Sequence, residues 1–388
     1  MRVGLEASGM RHARVLAVLV GSVLLDVFLT AHSAPMVFPT PWVFPTSMSV
    51  ASLTPQPVIF PDVVPGRAIS FPRDEGSHPE FRIEWWYITG WLKDQAGNPL
   101  GFQITFFRTR PGLDESNPSR FAAKQVLFAH VAVSDPKRGE LLRAERSARA
   151  GFSLAEASEE GLDVRLDDWS LRRDGAVYRA KIASDEFAMD FVFEPTQARL
   201  LQGRDGFSQK GPAPRSASYY YSLPQLRTSG TLVIGDHKQV VEGEAWFDHE
   251  WSSAIMDEQA SGWDWAGINL NDGTAVMAFQ MRNREQQEHW AAATWREPGE
   301  SPQTFAPAQI EWTPLRRWRS PRTSIDYPIE WRVRIGSRVL TLRPLMDDQE
   351  NDARNSTGTL YWEGAVRAFD ETGAEIGKGY LELTGYRK

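Results

Sequence analysis

Acidic, imidazole and indole side chains are concentrated in two short segments of the C-terminal half of the chain. The first is Trp246-Phe247-Asp248-His249-Glu250-Trp251, and the second is Trp263-Asp264-Trp265. Side chains alternate between the two faces of a strand, so an extended first segment places His249 beside Trp251 and turns Asp248 to the opposite face. An imidazole next to an indole suits protonation of an apolar substrate, because the indole face stabilises the cation that forms. The alternative is structural: a carboxylate satisfies His249, and Trp251 fills a core.

A second aromatic stretch lies near residue 85. Glu84 and Trp86 share one face of a predicted strand, and Trp85 and Tyr87 share the other, so whichever face points inward supplies an indole to the interior. Glu84 is either a second acid or the ion-pair partner of Arg108 on the following strand. The ion pair is favoured because buried charges are usually paired.

The remaining candidate groups are weaker. His130 lies on a short strand and is expected to be a core histidine, while His78 lies in a loop and is expected at the surface. The consecutive residues 248–250 (Asp-His-Glu) point to alternating sides of a strand and cannot all bind one ion, so we predict no metal and no cofactor. The sequence contains no nucleophile elbow, phosphate-binding loop or dinucleotide motif.

The composition is that of a soluble globular protein, with 41% hydrophobic and 24% charged residues. A net charge of -7 argues against nucleic acid as a partner. Tryptophan is abundant, with 15 residues, which favours bulky inward faces of β-barrels or an apolar binding site. The chain has no cysteine, which excludes disulfides, thiolate metal sites and lipidation of a lipobox.

The N-terminus has the pattern of a secretory signal peptide. Basic residues precede an apolar run at 15–25, and small residues follow at 31–34. We therefore predict a signal peptide over 1–34 and a secreted or periplasmic protein, with a retained membrane anchor as the alternative. The next segment, 35–70, is rich in proline and is predicted to be a linker.

From residue 71 onward, short apolar or alternating runs are separated by turn signals, which is typical of an all-β sandwich or barrel. A predicted hairpin over 83–108 is weakly repeated over 265–282. A Gly- and Pro-containing break lies at 211–216. We predict two similar β domains, over 71–216 and 217–388.

Five motifs occur in an order that indicates a family. They are His78-Pro79-Glu80-Phe81-Arg82-Ile83-Glu84-Trp85-Trp86-Tyr87, His130-Val131-Ala132-Val133-Ser134-Asp135, Tyr219-Tyr220-Tyr221-Ser222, Phe247-Asp248-His249-Glu250-Trp251 and Gly379-Tyr380-Leu381-Glu382-Leu383-Thr384-Gly385-Tyr386. With these motifs the chain resembles the AttH-like family of secreted lipocalin-like proteins, labelled predicted hydrolases, whose relatives include carotenoid 1,2-hydratases. The resemblance implies two lipocalin-like (calycin-type) β-barrels in tandem.

The resemblance also implies a reaction, the addition of water to a carbon–carbon double bond. The hydratase relatives use a His and a Trp two residues apart, which His249 and Trp251 match. They also use a Tyr and an Asp two residues apart. Here Asp264 is preceded two positions earlier by Gly262, so the phenol is missing.

Our first hypothesis is a secreted two-barrel protein that hydrates or dehydrates an apolar, polyene or terpenoid-like molecule. His249 or Asp264 would donate the proton, with the pKa of Asp264 raised in an apolar pocket. The predicted catalytic residues are His249, Asp264, Trp251 and Asp248. The predicted substrate contacts are Trp263, Trp265, Trp85, Trp86, Tyr87, Glu84, His130 and Tyr221. The alternative is a non-catalytic carrier or chaperone of a hydrophobic ligand that serves a membrane export system.

Overall fold

The structure, a computed structural model, describes residues 58–112 and 115–387. The predicted signal peptide (1–34) and residues 35–57 of the predicted linker lie outside this part of the chain. The described residues form strands and two short 3-10 turns, Arg73–Glu75 and Pro307–Gln309, which confirms the all-β prediction. In these ranges no helix is long and apolar enough to cross a membrane.

The first sheet curls into a nearly closed barrel, here called the first barrel. Its order is β4-β3-β2-β1-β13-β12-β9-β8-β7-β6-β5, with β10 and β11 on β12, and the end strands approach each other where β6 contacts β3 and β4. The strands are β1 (Ile83–Asp94), β2 (Pro99–Thr109), β3 (Val126–Ser134), β4 (Leu141–Arg149), β5 (Ala155–Ala157), β6 (Asp163–Leu166), β7 (Trp169–Asp174), β8 (Val177–Ala183), β9 (Phe187–Glu194), β10 (Leu200–Leu201), β11 (Phe207–Gln209), β12 (Ala217–Ile234) and β13 (His237–Ala254).

The second sheet, here called the second barrel, repeats this plan with fewer strands. Its order is β17-β16-β15-β14-β23-β22-β20-β19-β18, with β21 on β22. The strands are β14 (Ala260–Leu270), β15 (Ala275–Asn283), β16 (Glu288–Arg296), β17 (Gln303–Phe305), β18 (Ile310–Arg319), β19 (Asp326–Ile335), β20 (Arg338–Pro344), β21 (Glu350–Ala353), β22 (Thr359–Phe369) and β23 (Glu375–Leu383). In both barrels a four-stranded meander comes first, and its first strand pairs with the last strand of the sheet.

The chain passes from the first sheet to the second later than the predicted boundary at 216/217. β12 pairs with β9, and β13 pairs with β1, so residues 217–254 belong to the first barrel. The connection to the second barrel is the short segment 255–259. The break at 211–216 precedes β12 within the first sheet. A Gly- and Pro-rich stretch therefore marks a turn here rather than a domain boundary.

The predicted hairpin over 83–108 is formed by β1 and β2. Its turn is stabilised by Asp94, whose Oδ1 accepts the backbone N–H groups of Ala96 (2.9 Å) and Asn98 (2.8 Å). Gly97 adopts a φ of 82°, which glycine tolerates without a Cβ clash. The related hairpin β14–β15 occupies the same place in the second barrel, in agreement with the weak internal repeat.

Three apolar clusters stabilise the fold. One fills the first barrel, a second fills the second barrel, and a third lies between the two barrels. The alternation of strand faces decides which residue enters which cluster. On β13, Phe247 and Trp251 point into the first barrel while Trp246 joins the cluster between the barrels. On β14, Ala266 points into the second barrel and Trp265 faces the first.

Candidate functional site

The face of the first barrel that meets the second carries a row of polar side chains. Tyr87 on β1 is paired with Asp248 on β13, which is paired with Ser222 on β12. From Tyr87 the row continues in the other direction through Thr105 on β2 to His130 on β3. Cross-strand neighbours project to the same face. Strand register therefore brings together side chains that are far apart in sequence.

The opposing face of the second barrel carries its own row. Trp265 on β14 is paired with Phe279 on β15 and with Glu382 on β23, and Glu382 is paired with Glu363 on β22. The rings of Tyr87 and Trp265 meet edge to face, with centroids 5.3 Å apart. The two rows are thus in contact, and we call the region between them the interdomain site.

Asp248 is the acid that the first barrel contributes to this site. Its carboxylate accepts hydrogen bonds from the Tyr220 hydroxyl (2.7 Å), the Trp246 indole N–H (2.7 Å) and the Ser222 hydroxyl. Burial raises the pKa of Asp248 to about 7, although these three hydrogen bonds oppose the shift. Asp248 therefore changes its charge near neutral pH.

Glu382 and Glu363 are the acids of the second barrel. Burial raises the pKa of Glu382 to about 7, and the neighbouring Glu250 and Asp248 add to the shift. Burial, followed by the charge of Glu382, raises the pKa of Glu363 well above its usual value. Within the described residues, neither Glu363 Oε1 nor the Tyr87 hydroxyl has a partner at hydrogen-bond distance and angle, although the two side chains influence each other's pKa. Buried polar atoms without a partner are uncommon, and these two can pair with each other or with a bound ligand.

Indoles surround these acids. The Trp263 N–H donates to Glu382 Oε2 (3.1 Å), and the Trp265 N–H donates to the Tyr220 hydroxyl (3.1 Å). Trp85 and Trp263 are only partly buried, so they mark the side on which the interdomain site reaches solvent. The acids of the interdomain site thus lie among indoles, two of which are partly exposed to solvent.

A buried ion pair lies at one end of the interdomain site. Lys210 Nζ is 2.8 Å from Glu250 Oε1 and lies over the rings of Tyr220 and Phe279, at 4.7 and 4.2 Å from their centroids. Glu250 also accepts a hydrogen bond from Ser218. In the described part of the chain, Asp248, Glu363 and Glu382 form no salt bridge of this kind.

A second ionisable group of residues lies inside the first barrel, and we call it the histidine cluster. It consists of Asp74, His78, Glu84, Arg108 and His249. Glu84 Oε1 is 2.7 Å from His78 Nδ1 and 3.0 Å from His249 Nε2, and Arg108 Nε donates to Glu84 Oε2 at 2.8 Å. His78 Nε2 is 2.9 Å from Asp74 Oδ1, and His249 Nδ1 is 3.1 Å from the backbone oxygen of Asp74. The predicted ion pair between Glu84 and Arg108 is confirmed.

Aromatic rings enclose the histidine cluster. Trp251 stacks on His78 with centroids 3.8 Å apart, and Trp86 stacks on His249 at 4.9 Å. Tyr221 packs edge-on against His249 at 5.4 Å. The prediction that His249 and Trp251 are neighbours on one face is confirmed, with ring centroids 4.9 Å apart. The expectation that His78 lies at the surface is wrong: its side chain is fully buried, and Glu84 and Asp74 satisfy both of its ring nitrogens there.

The charges of this cluster compensate one another. Burial opposes the ionised form of Glu84, but Arg108 and then His78 hold the pKa of this carboxyl well below its usual range. Burial also opposes the charged form of His78, and the carboxylates of Glu84 and Asp74 overcome it and raise the pKa of His78. For His249 burial prevails over the influence of Glu84, and its pKa is lowered.

Asp264 lies inside the second barrel, away from both regions. Arg282 Nε donates to its Oδ2 at 2.8 Å, Gln280 donates to the same oxygen at 2.8 Å, and the Tyr386 hydroxyl donates to Oδ1 at 2.9 Å. Burial raises the pKa of Asp264, and the charge of Arg282 opposes this shift. Asp264 is thus held in a buried ion pair.

Comparisons with known proteins agree with this architecture. The family model described as AttH-like matches residues 62–386. The chain belongs to the AttH-like family. A crystal structure from Nitrosomonas europaea assigned to AttH is 47% identical, has a TM-score of 0.79 and covers 84% of this chain and 100% of its own. Kievitone hydratase from Nectria haematococca is 16% identical, with a TM-score of 0.62, over 85% of this chain and 97% of its own. No curated protein sequence matches significantly.

In this AttH-like protein the predicted site residues divide among three places. Trp85, Tyr87, Asp248, Trp263 and Trp265 meet at the interdomain site, with His130 at the far end of the same row. The residues Glu84, Trp86, Tyr221, His249 and Trp251 meet inside the first barrel. Asp264 is alone in the second barrel, so it does not share a site with His249. Two surface pockets, of about 320 and 570 Å³, contain none of these residues.

Sequence reasoning missed several groups of this AttH-like protein. Glu363 and Glu382 lie on the last two strands, and Lys210 precedes β12. Glu382 lies in the closing motif on which the family resemblance was based, which was the available signal. His130 forms hydrogen bonds with two hydroxyl groups of the second barrel, through Nδ1 with Tyr361 (2.8 Å) and through Nε2 with Ser356 (2.9 Å). Burial lowers the pKa of His130 to about 3.

Proposed function

We propose that this protein adds water to, or removes water from, a carbon–carbon double bond of an apolar molecule bound at the interdomain site. The observation that carries the proposal is the presence of two buried carboxyl groups, Asp248 and Glu363, and the partly buried Glu382, among indoles and without a salt bridge in the described residues. Titratable groups with strongly shifted pKa values at a domain interface are typical of catalytic sites.

The proposed reaction needs one proton donor and one acceptor. Glu382, with a pKa near 7 and a single indole hydrogen bond, is the proposed acid that protonates the alkene carbon. Asp248 is the proposed base that takes a proton from the attacking water, because its three hydrogen bonds favour the carboxylate. Trp265 and Tyr87 offer ring faces to the intermediate cation. In the dehydration direction the two carboxyl groups exchange roles.

His249 and Asp264 have no part in this reaction scheme, although the sequence suggested them as acids. Each is enclosed in the interior of a different barrel and bound to a charged partner, Glu84 or Arg282. The fold is compatible with the proposal, since a protein named kievitone hydratase has the same fold.

The proposal is tested with polyenes and terpenoids as substrates in water enriched in heavy oxygen. We expect the heavy isotope in the alcohol product. Asp248→Asn should lower the rate roughly 100- to 10,000-fold, the usual contribution of general acid–base catalysis. Glu244→Gln is the control, because this exposed residue lies on the same face of the same strand.

The carrier hypothesis predicts a different result. A carrier binds the apolar ligands, incorporates no heavy oxygen, and loses no function when Asp248 becomes an amide. That outcome would refute the hydratase proposal. The N-terminal sequence further supports the proposal that the protein acts outside the cytoplasm. Recovery of a shortened chain that begins near residue 35 from the periplasm or medium would support it, and a full-length cytoplasmic chain would contradict it.

A further inference from the structure

The ring nitrogens of the histidine cluster all face oxygen atoms that accept hydrogen bonds. His78 faces Glu84 with Nδ1 and Asp74 with Nε2, and His249 faces the Asp74 carbonyl with Nδ1 and Glu84 with Nε2. A neutral imidazole has one N–H donor and one nitrogen lone pair. Two neutral histidines can therefore satisfy only two of these four contacts.

The contacts with Asp74 identify which nitrogens carry hydrogen. The Asp74 carbonyl has no hydrogen of its own, so His249 Nδ1 must be the donor in that contact. The Asp74 carboxylate accepts the backbone N–H of Ser70 with Oδ2 and faces His78 Nε2 with Oδ1, so His78 Nε2 is the donor there. With no proton between them, His78 Nδ1 and His249 Nε2 would present lone pairs to Glu84 Oε1, so either protons or a bound cation must occupy this place. Three lone pairs would otherwise converge in a fully buried place.

We propose that His78 Nδ1, Glu84 Oε1 and His249 Nε2 bind one divalent transition-metal ion. The three atoms lie within 4.8 Å of one another, and two imidazoles with one carboxylate form a donor set that suits Zn²⁺. Around a tetrahedral zinc ion such atoms lie roughly 3.4 Å apart, given metal–ligand bonds of about 2.1 Å. The present separations of 2.7 and 3.0 Å therefore need to widen by less than about 1 Å.

The surroundings of the three atoms match those of metal-binding histidines. Such histidines usually donate their second N–H to a carboxylate or a backbone carbonyl. Asp74 supplies both kinds of acceptor, its carboxylate to His78 and its carbonyl to His249. Arg108 fixes the other oxygen of Glu84. This inference is independent of the interdomain site and differs from the expectation, drawn from sequence, that the protein binds no metal.

The proposed ion has a structural role. His78 and Asp74 belong to the segment that precedes β1, whereas Glu84 lies on β1 and His249 on β13. One ion would therefore link the segment that precedes β1 to two strands of the first barrel, β1 and β13. In a chain without cysteine, it would replace a covalent cross-link.

The experiment measures metal content and thermal stability, and it does not depend on activity. The full chain is unfolded with a chelator, refolded with Zn²⁺ or Co²⁺, and passed over a desalting column. We expect one ion per chain, a higher melting temperature than for chain refolded without metal, and the visible absorption of tetrahedral Co²⁺. Glu84→Gln and His249→Ala should reduce the content below one-tenth of an ion. Asp74→Asn should weaken binding roughly 10- to 100-fold.

Two buried or partly buried histidines outside the cluster provide matched controls. His130→Ala and His289→Ala should keep one ion per chain, because His130 binds Tyr361 and Ser356 while His289 binds Asp257. If the wild-type chain refolds without retaining either metal, protons alone fill the cluster and the proposal fails. If Glu84→Gln refolds with a full ion, the metal lies elsewhere and the proposal fails as well.

Discussion

Replacement of Arg282 by methionine tests whether Asp264 is structural. Arg282 Nε is 2.8 Å from Asp264 Oδ2, both side chains are buried, and the guanidinium also lies 3.8 Å above the Tyr386 ring. Methionine keeps the apolar stem of the arginine and removes its charge. The Asp264 carboxyl is then left in the second barrel with only neutral donors from Gln280 and Tyr386.

The expected loss follows from the burial of the pair. Removal of one partner of a buried ion pair costs about 3–5 kcal/mol, because the other charge stays desolvated. For a domain of this size, 1 kcal/mol lowers the melting temperature by about 2–4 °C, so the second barrel should melt about 10 °C earlier. The double variant Asp264→Asn/Arg282→Met should recover part of this loss, since an amide has no charge to compensate. The coupling energy expected for such contacting residues is about 0.5–3 kcal/mol.

Denaturant unfolding followed by circular dichroism measures the loss, and turnover is measured per folded molecule. Arg316→Met is the control, because Arg316 pairs with Glu330 and Asp347 on the exposed surface, where a salt bridge contributes about 0–1 kcal/mol. A loss below 1 kcal/mol for Arg282→Met would refute the structural interpretation. So would a variant of normal stability whose turnover falls 100-fold, because Asp264 would then belong to the chemistry.

Three further predictions concern the first barrel and its contacts with the second. The pKa of Glu382 is raised to about 7 in the folded chain from a usual 4.5, so the folded state binds more protons and the stability falls as the pH rises from 4.5 to 7. Glu382→Gln should remove this pH dependence and stabilise the protein at pH 8 by up to about 3 kcal/mol. Unfolding at several pH values measures both effects. Gly243→Ala should destabilise the first barrel by roughly 1–3 kcal/mol or more in a thermal melt, because its Cβ would lie 1.9 Å from the backbone oxygen of Trp91. Tyr361→Phe should cost about 1–3 kcal/mol in the same assay, since it removes the hydroxyl that binds His130 across the barrels, and an unchanged melting temperature would contradict this.

Strand faces were predictable from the sequence because side chains alternate with period two. The sequence placed His249 with Trp251 on one face and Asp248 on the other, and the structure agrees. The ion pair of Glu84 with Arg108 was equally accessible, since a hairpin with a short turn fixes which residues are opposite. Local patterns therefore determine faces and hairpin register.

The grouping of candidate residues into sites was not predictable in the same way. His249 and Asp264 are close in sequence, yet the segment 255–259 carries the chain from one barrel to the other, and the two side chains enter different cores. Conversely, Asp248 and Glu382 are far apart in sequence and lie in facing rows because β13 and β23 each pair with the first strand of their own barrel. Pairing between distant strands depends on the whole topology, which no local pattern encodes.

The charges of the two barrel interiors explain why the interdomain site is the better candidate for chemistry. Inside the barrels each buried acid has a cation beside it, Arg108 for Glu84 and Arg282 for Asp264. Between the barrels Glu382 and Glu363 are cross-strand neighbours, and the charge of Glu382 adds to the cost of ionising Glu363. Amides in these positions would hold the barrels together at a smaller cost in stability. Carboxyl groups whose ionisation destabilises the folded state therefore favour the proposed proton transfer over a purely structural role.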